Sequence, residues 1–338
     1  MSHPSATLGT VTTTLDDAAT RLAALLLAGG TGLADPTGSD LEFAAEIAPR
    51  PLERRPAAPE VWAVDGGQAL VADARCLQVL VTRASRVRFR GGECLLEEEG
   101  ELRAHLLGGL DQRVAALVAL GLPLPADSSV DVNLLRDRWE WDAVQRSVAE
   151  ANGGAMVLID GDLQPDWRIP SSYVASLLDM AGERGVTLCA VTKHSSLSRG
   201  GAPLLGQLEI EADAGAAIGL GPRAMWWTPV AHTRSDVAGG IRVVAAKLDP
   251  DARFAFRVDL PATADPVIEL GRLAAIADDA AFPGYPYPLS VADRVASCPG
   301  WLRQEIAMRL DELLDEAGVP PDVRERAFTD RHDLMERA

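Results

Sequence analysis

The sequence predicts an α/β protein, a mixed sheet flanked by helices with helical additions at both ends. Three observations carry this reading. "VWAVDGG" (61–67), "AMVLIDGDL" (155–163) and "VTLCAVTKHSS" (186–196) have the length and near-continuous apolarity of buried strands. Helix-spaced stretches lie between the later ones, at 131–154 and roughly 172–184. After the first run, "CLQVLVTRA" (76–84) and "SRVRFRGGECLLEEE" (85–99) read as antiparallel strands, the second turning at Gly91-Gly92.

In chain order, residues 1–10 are expected to fray, and Leu15 to Leu27 form a helix stopped by "AGGTG". "PRPLERRPAAPE" (49–60) is a proline-rich, extended approach to the first strand. That strand is expected to end at Asp65, with Asp65-Gly66-Gly67 as turn chemistry. Alternatively, the aspartate is held at the rim of a sheet, where small glycines let a metal or phosphate approach. In "DVNLLRDRWEWDAVQRSVAEANGG", Leu135, Trp139, Ala143 and Val148 lie close to one stripe, and "NGG" ends the helix. "MWWTPVA", "IRVVAAKL" and "FAFRVDL" supply later strands, and "PVIELGRLAAIADDA" a helix. "PGYPYPLSVADRVA" (283–296) is a stiff loop feeding another helix, and the chain from Trp301 is helical and charge-rich. No repeat or low-complexity linker interrupts it. The expected organisation is an arm at 1–59, a catalytic-type α/β domain at 60–300, and a helical segment at 301–338 packed on the same domain.

At 338 residues, 47% apolar and 24% charged, the chain has the composition of a globular protein. Cys76, Cys94, Cys189 and Cys298 lack zinc spacing and read as reduced thiols. "LAALLLAGG" is too short to span a bilayer and no targeting stretch precedes it, so a soluble cytoplasmic protein without a membrane partner is expected. A net charge of −17 argues weakly against a polyanionic partner, because local patches govern phosphate binding. Lys193 and Lys247 are the only lysines, which gives each more weight.

The element order places Asp65 on a first strand, then two antiparallel strands, Glu140 on a helix, and Asp160 at the end of a further strand. This is the RNase H-like arrangement, a mixed sheet that gathers carboxylates from separate elements. Mg²⁺ and Mn²⁺ want hard oxygen ligands, and two such ions about 3.5–4 Å apart stabilise both the attacking and leaving oxygens of phosphodiester cleavage. Repulsion among the carboxylates is relieved when metal binds.

Taken in order, "VWAVDGG", "LLRDRWEW", "LIDGDL", "VTKHS" and "GYPYPLSVADRVA" resemble the NurA nucleases, over about residues 60–297. The resemblance implies an RNase H-like core, a homodimer, and work with the hexameric ATPase HerA at DNA ends, usually in the 5′ to 3′ direction. It implies Asp65, Glu140 and Asp160 as metal ligands and Tyr285 as the active-site tyrosine. Eight residues on, where many members have histidine, this chain has Asp293. Aspartate can add an oxygen ligand but cannot act as a neutral imidazole.

Asp137 rivals Glu140 as a ligand, and Asp162 reads more readily as a turn residue than as a ligand. Lys193 is expected to meet the scissile phosphate, whereas His194 points the other way along the strand. Tyr285 and Tyr287, pinned by prolines, either contact DNA or pack against the sheet rim. Arg86, Arg88 and Arg90 put three guanidinium groups on one strand face, suited to a phosphate backbone or balanced by Glu97 to Glu99 on the hairpin partner. The leading expectation is a metal-dependent DNA nuclease using Mn²⁺ or Mg²⁺. One rival is a NurA-like dimer that regulates an ATPase without catalysis. Another is an actin-like sugar kinase, for which "IGLG" (218–221) is a poor second phosphate turn.

Overall fold

The computed structural model describes residues 14–27, 41–74, 76–108, 132–164, 169–215, 220–233, 240–329 and 335. The expected frayed start, the "AGGTG" stop and the first half of "IGLG" lie outside the described residues. The strands are β1 (Leu41–Phe43), β2 (Arg50–Pro51), β3 (Val61–Asp73), β4 (Leu77–Arg90), β5 (Glu93–Glu99), β6 (Arg103–Gly108), β7 (Met156–Asp160), β8 (Thr187–Thr192), β9 (Ser198–Arg199), β10 (Ala202–Pro203), β11 (Trp226–Thr233), β12 (Ile241–Lys247) and β13 (Phe256–Pro261). The described helices are α1 (Leu15–Leu27), α2 (Val132–Glu150), α3 (Ser171–Glu183), α4 (Leu204–Asp213), α5 (Pro266–Ala274), α6 (Tyr287–Ala296), α7 (Gly300–Glu316) and α8 (Pro321–Phe328).

Eleven strands form one mixed sheet in the order β1-β11-β12-β13-β8-β7-β3-β4-β5, with β2 beside β11 and β6 beside β4. β3, β7 and β8 run parallel, and β4 returns antiparallel to β3. This RNase H-like mixed sheet is the expected fold class. Within the N-terminal arm, β1 and, inside the proline-rich approach, β2 both pair with β11.

Alternation along the strands sorts side chains between two cores. Trp62, Val64, Val157, Ile159 and Leu188 pack with Ala143, Val144 and Val148 of α2 and Leu177 of α3. Val61, Ala63, Leu158, Cys189 and Val191 pack on the other face with Leu270 and Leu273 of α5 and Leu289 and Ala292 of α6. Burial on both faces is why β7 and β8 read as uninterrupted apolar runs.

Two expectations require correction. The first strand does not stop at Asp65: β3 continues through Gly66 and Gly67 to Asp73. The glycines make room for helices. A Cβ at Gly66 would lie 2.8 Å from Arg136 Cγ on α2, and one at Gly67 would lie 1.8 Å from the Ala296 carbonyl oxygen at the end of α6. The runs at 76–84 and 85–99 are not separate strands broken at residue 85, since β4 is continuous from Leu77 to Arg90 and the break comes at Gly91-Gly92 as expected. β6, unforeseen, pairs with the first half of β4 while β5 takes the second.

A buried carboxylate anchors the start of β3. Glu60 accepts hydrogen bonds from Trp62 Nε1 at 2.8 Å, Asn152 Nδ2 at 2.7 Å and Arg90 at 2.7 Å. Burial would raise its pKa, but these donors overcome that and hold it at about 2. Glu60→Ala strands the Trp62 indole N–H in the interior and is expected to cost about 1–3 kcal/mol in urea unfolding. An unchanged midpoint would show that water replaces the carboxylate.

Candidate active site

Register does the first part of the assembly. Val64 pairs with Ile159 and Asp160 with Val191 across the parallel strands, so Asp65 and Asp160 sit side by side at one level of the sheet. Both point to the face covered by α6, because they share parity with Ala63 and Leu158 of that core. Asp293, in the last turns of α6, completes the group: one carboxylate oxygen from each of Asp65, Asp160 and Asp293 lies within 4.8 Å of the others. Lys193, just past β8 and on the same face, places Nζ 2.7 Å from Asp160 Oδ2 and 3.4 Å from Asp293 Oδ1.

The docking of α6 is built from the strands beneath it. Ser85 Oγ donates to the Ala292 carbonyl at 2.8 Å, and Arg83 Nε donates to the Ala296 carbonyl at 3.0 Å. A second Arg83 nitrogen bonds the Ser297 carbonyl. The guanidinium thereby satisfies carbonyls left open at the helix C-terminus. Asp293 is therefore positioned by Gly67, Arg83 and Ser85, none of which reaches the cluster through its own side chain in the expected ligand set.

The electrostatics are those of crowded, partly dehydrated carboxylates. Burial and the neighbouring Asp160 push Asp65 up to about 7. Glu140 is only 6% exposed and is pushed well above the usual carboxylate range by burial and then by Asp65. It comes from α2 on the other face and stops against Gly66, where a Cβ would meet its Oε2 at 2.9 Å. Glu140 thus stands beside Asp65 but outside the three-carboxylate group. Asp137, its rival, pairs with Arg136 at 2.8 Å. Asp162 accepts from the Gln164 backbone and lies 3.7 Å from Arg257, in keeping with a turn role.

Tyr285 is 5% exposed, its ring packed 5.5 Å from that of Phe256 with the Lys193 ammonium 5.1 Å from its centre. Its hydroxyl is buried without a hydrogen bond of ordinary geometry. Burial, then Asp160, hold it firmly as a neutral phenol. The ring is consequently closed to base stacking. Tyr287 is half-buried and meets Phe89 edge-on at 5.2 Å. For both tyrosines the structure shows packing against the rim.

The expected arginine stripe is not an open surface. Arg86 is buried, bonds Glu98 at 2.5 Å and Glu150 at 2.9 Å, and shares the Trp62 ring with Arg88. Arg90 bonds the buried Glu60. Arg86 is buried, whereas Arg90 stays 56% exposed at its side chain, so the face is only partly withdrawn from solvent. The glutamates opposite are engaged too: Glu97 with Arg294, Glu98 with Arg86 and Arg146, and Glu99 with Arg83. Sequence reasoning missed Arg136, which lies across Gly66 beside Glu140 and Asp65. Its spacing of one helical turn from Glu140 was the available signal.

An all-oxygen donor set of clustered carboxylates suits a hard divalent cation. The NurA nuclease from Sulfolobus solfataricus is similar to this chain, with a TM-score of 0.55 at 14% sequence identity, over 81% of this chain and 88% of that one. The fold is NurA-like. A second NurA structure gives a TM-score of 0.43 at 8% identity over 72% of this chain and 85% of that one. The catalytic domain of human endonuclease V gives 0.36 at 14% identity over 80% and 92%. No family model and no curated protein matches the sequence. Within the NurA-like sheet, the carboxylates occupy adjacent strands and the helix laid over them. Among the described residues, no helix is long and apolar enough to cross a membrane.

Proposed function

We propose that this protein is a metal-dependent nuclease that hydrolyses phosphodiester bonds in DNA. The observation that carries the reading is the meeting of Asp65, Asp160 and Asp293 with Lys193 on one face of a NurA-like sheet. Asp65, Asp160 and Asp293 would hold Mn²⁺ or Mg²⁺, one or two ions, with Glu140 adjoining. Such an ion supplies Lewis-acid polarisation of the phosphate and a water of lowered pKa.

The chain's own groups have separable tasks. Asp65 and Asp160 are held side by side by strand register, and the Lys193 ammonium now paired with Asp160 would yield to an incoming cation. Lys193 is about 40% exposed at its side chain, and its charge is reinforced by Asp160 despite partial burial. It acts as a point charge for the oxygens of a phosphate entering from solvent. Tyr285, kept protonated, can donate a hydrogen bond and cannot serve as a base. Asp293 is 59% exposed at its side chain and supplies oxygen where imidazole would supply nitrogen.

The finer reading rests on the sequence resemblance: 5′ to 3′ digestion of single strands and duplex ends, a homodimer, and a HerA-type ATPase that delivers DNA. The acidic total favours delivery through a confined passage over capture from solution. Digestion of 5′-labelled duplex and single-stranded DNA with Mn²⁺ or Mg²⁺, with and without such an ATPase, tests it. Wild type is expected to cut and Asp160→Asn to lose at least about 100-fold. A folded wild type that never cuts would leave the scaffold reading in its place.

A further inference from the structure

A cavity of about 680 Å³ opens directly beside the carboxylates. Its lining includes Lys193, Asp293 and Tyr285 of the carboxylate group's surroundings together with Phe254, Phe256 and Phe282. Only six phenylalanines occur in the whole chain, and three of them line this space. Phe256 is engaged with the Tyr285 ring, but Phe254 and Phe282 are 57% and 65% exposed. Packing does not account for two solvent-facing aromatic rings at the mouth of an acidic site.

The rim that carries them is tied down. Ala252 donates its N–H to the Asp249 carbonyl, while Ala281 donates to the Asp279 side chain and Tyr285 to the Phe282 carbonyl. The two turns abut at Gly284, whose φ of +91° and whose closeness to Ala252 (a Cβ would approach to 2.6 Å) admit only glycine. Phe254 and Phe282 are thus presented from adjacent, backbone-anchored turns. The Arg253 guanidinium lies 5.3 Å from the centre of the Phe254 ring, adding a cation at the mouth.

We propose that this cavity is a nucleobase subsite, in which an unpaired base next to the phosphate at the carboxylates stacks on Phe254 and Phe282. The inference rests on the nuclease reading and adds a substrate preference. A base must leave its duplex stack to lie against these rings, so single strands and frayed ends are favoured over closed duplex. Stacking suits this role because every base offers a π-face, which gives grip without sequence preference. The volume falls within the range of small-ligand pockets.

The test uses the full chain with Phe254→Ala/Phe282→Ala and, as the restoring variant, Phe254→Tyr/Phe282→Tyr. Both rings are exposed, so melting temperatures are expected to stay within about 2 °C. The probes are single strands carrying 2-aminopurine at the terminal nucleotide, and matched strands with an abasic residue there, bound with Ca²⁺ and read by fluorescence and Kd. Wild type and the tyrosine variant are expected to quench 2-aminopurine, and the alanine variant to lose the quench and about 10- to 100-fold in affinity. All three proteins should bind the abasic strand alike. Quenching and affinity that survive the alanine changes overturn the subsite, as does an equal loss on abasic strands, which would mark a general surface effect. Cleavage is scored separately with Mn²⁺: quenching without cleavage would remove the nuclease and keep the base site, and cleavage without quenching the reverse.

Discussion

Asp65→Asn is expected to abolish metal-dependent cleavage and at the same time to stabilise the metal-free protein. The two effects share a cause. Asp65 is 7% exposed, and burial together with Asp160 raises it to about 7. In the unfolded chain the same group ionises near its ordinary value of about 3.9. Between roughly pH 4 and pH 7 the native state therefore holds a proton that the unfolded state has released, and stability falls as pH rises through that window. Above it, the folded protein carries the whole cost of a buried, repelled charge. Asparagine removes that cost without adding bulk.

Metal-free Asp65→Asn should thus exceed wild type by about 2–4 kcal/mol at pH 8. The two should converge near pH 4. Urea unfolding in EDTA at both pH values measures this, and Mn²⁺ should raise the wild-type midpoint more than the mutant's. Cleavage should fall at least about 1,000-fold, since losing even a partner behind a metal ligand costs roughly 10–100-fold. A variant less stable at pH 8 than wild type would falsify the account of Asp65 as a strained ligand.

The second large effect is expected at a residue with no chemistry of its own. Gly67→Ala puts a Cβ 1.8 Å from the Ala296 carbonyl oxygen and 2.7 Å from its carbon. Both are backbone atoms at the end of α6, so no side chain can swing aside. The helix must lift, which strains the Arg83 and Ser85 bonds to its carbonyls and carries Asp293 away from Asp65 and Asp160. A cost of about 3 kcal/mol or more is expected from overpacking and broken hydrogen bonds. Cleavage should drop roughly 100-fold, because a displacement of about 1 Å suffices for that. Gly66→Ala is the comparison: it meets only side-chain atoms, of Arg136 and of Glu140, rather than backbone, and should be milder in stability. Full activity in Gly67→Ala would mean that Asp293 is dispensable or that α6 docks elsewhere.

Much of the site was legible in the chain. Short buried strands separated by helices gave the mixed sheet, and Lys193, expected at the end of a buried strand, does lie beside the acids, 2.7 Å from Asp160. The helix expected after the stiff loop at 283–296 also agrees with α6. The reading of Gly66-Gly67 as a turn failed for a definite reason. Glycine marks either a positive φ or a close approach, and the two leave the same letter in a sequence. Here neither residue has a positive φ, and both have a helix against them. The arginine stripe was half legible: alternation in β4 and the balance by the hairpin glutamates were read from the chain, as Arg86 with Glu98 shows, but nothing local indicates that α2 packs on that face or that the distant Glu60 and Glu150 take part.

By itself, then, the sequence determined the elements, their sidedness and the acids carried on them, because strand parity and helix spacing are properties of neighbours in the chain. Tertiary structure alone decided which acids meet. Asp293 joins Asp65 and Asp160 across more than a hundred residues because register aligns β3 with β7 and because Gly67, Arg83 and Ser85 seat α6 above them. It likewise decided that Phe254 and Phe282 share one opening, since only the contact of two turns at Gly284 brings them together.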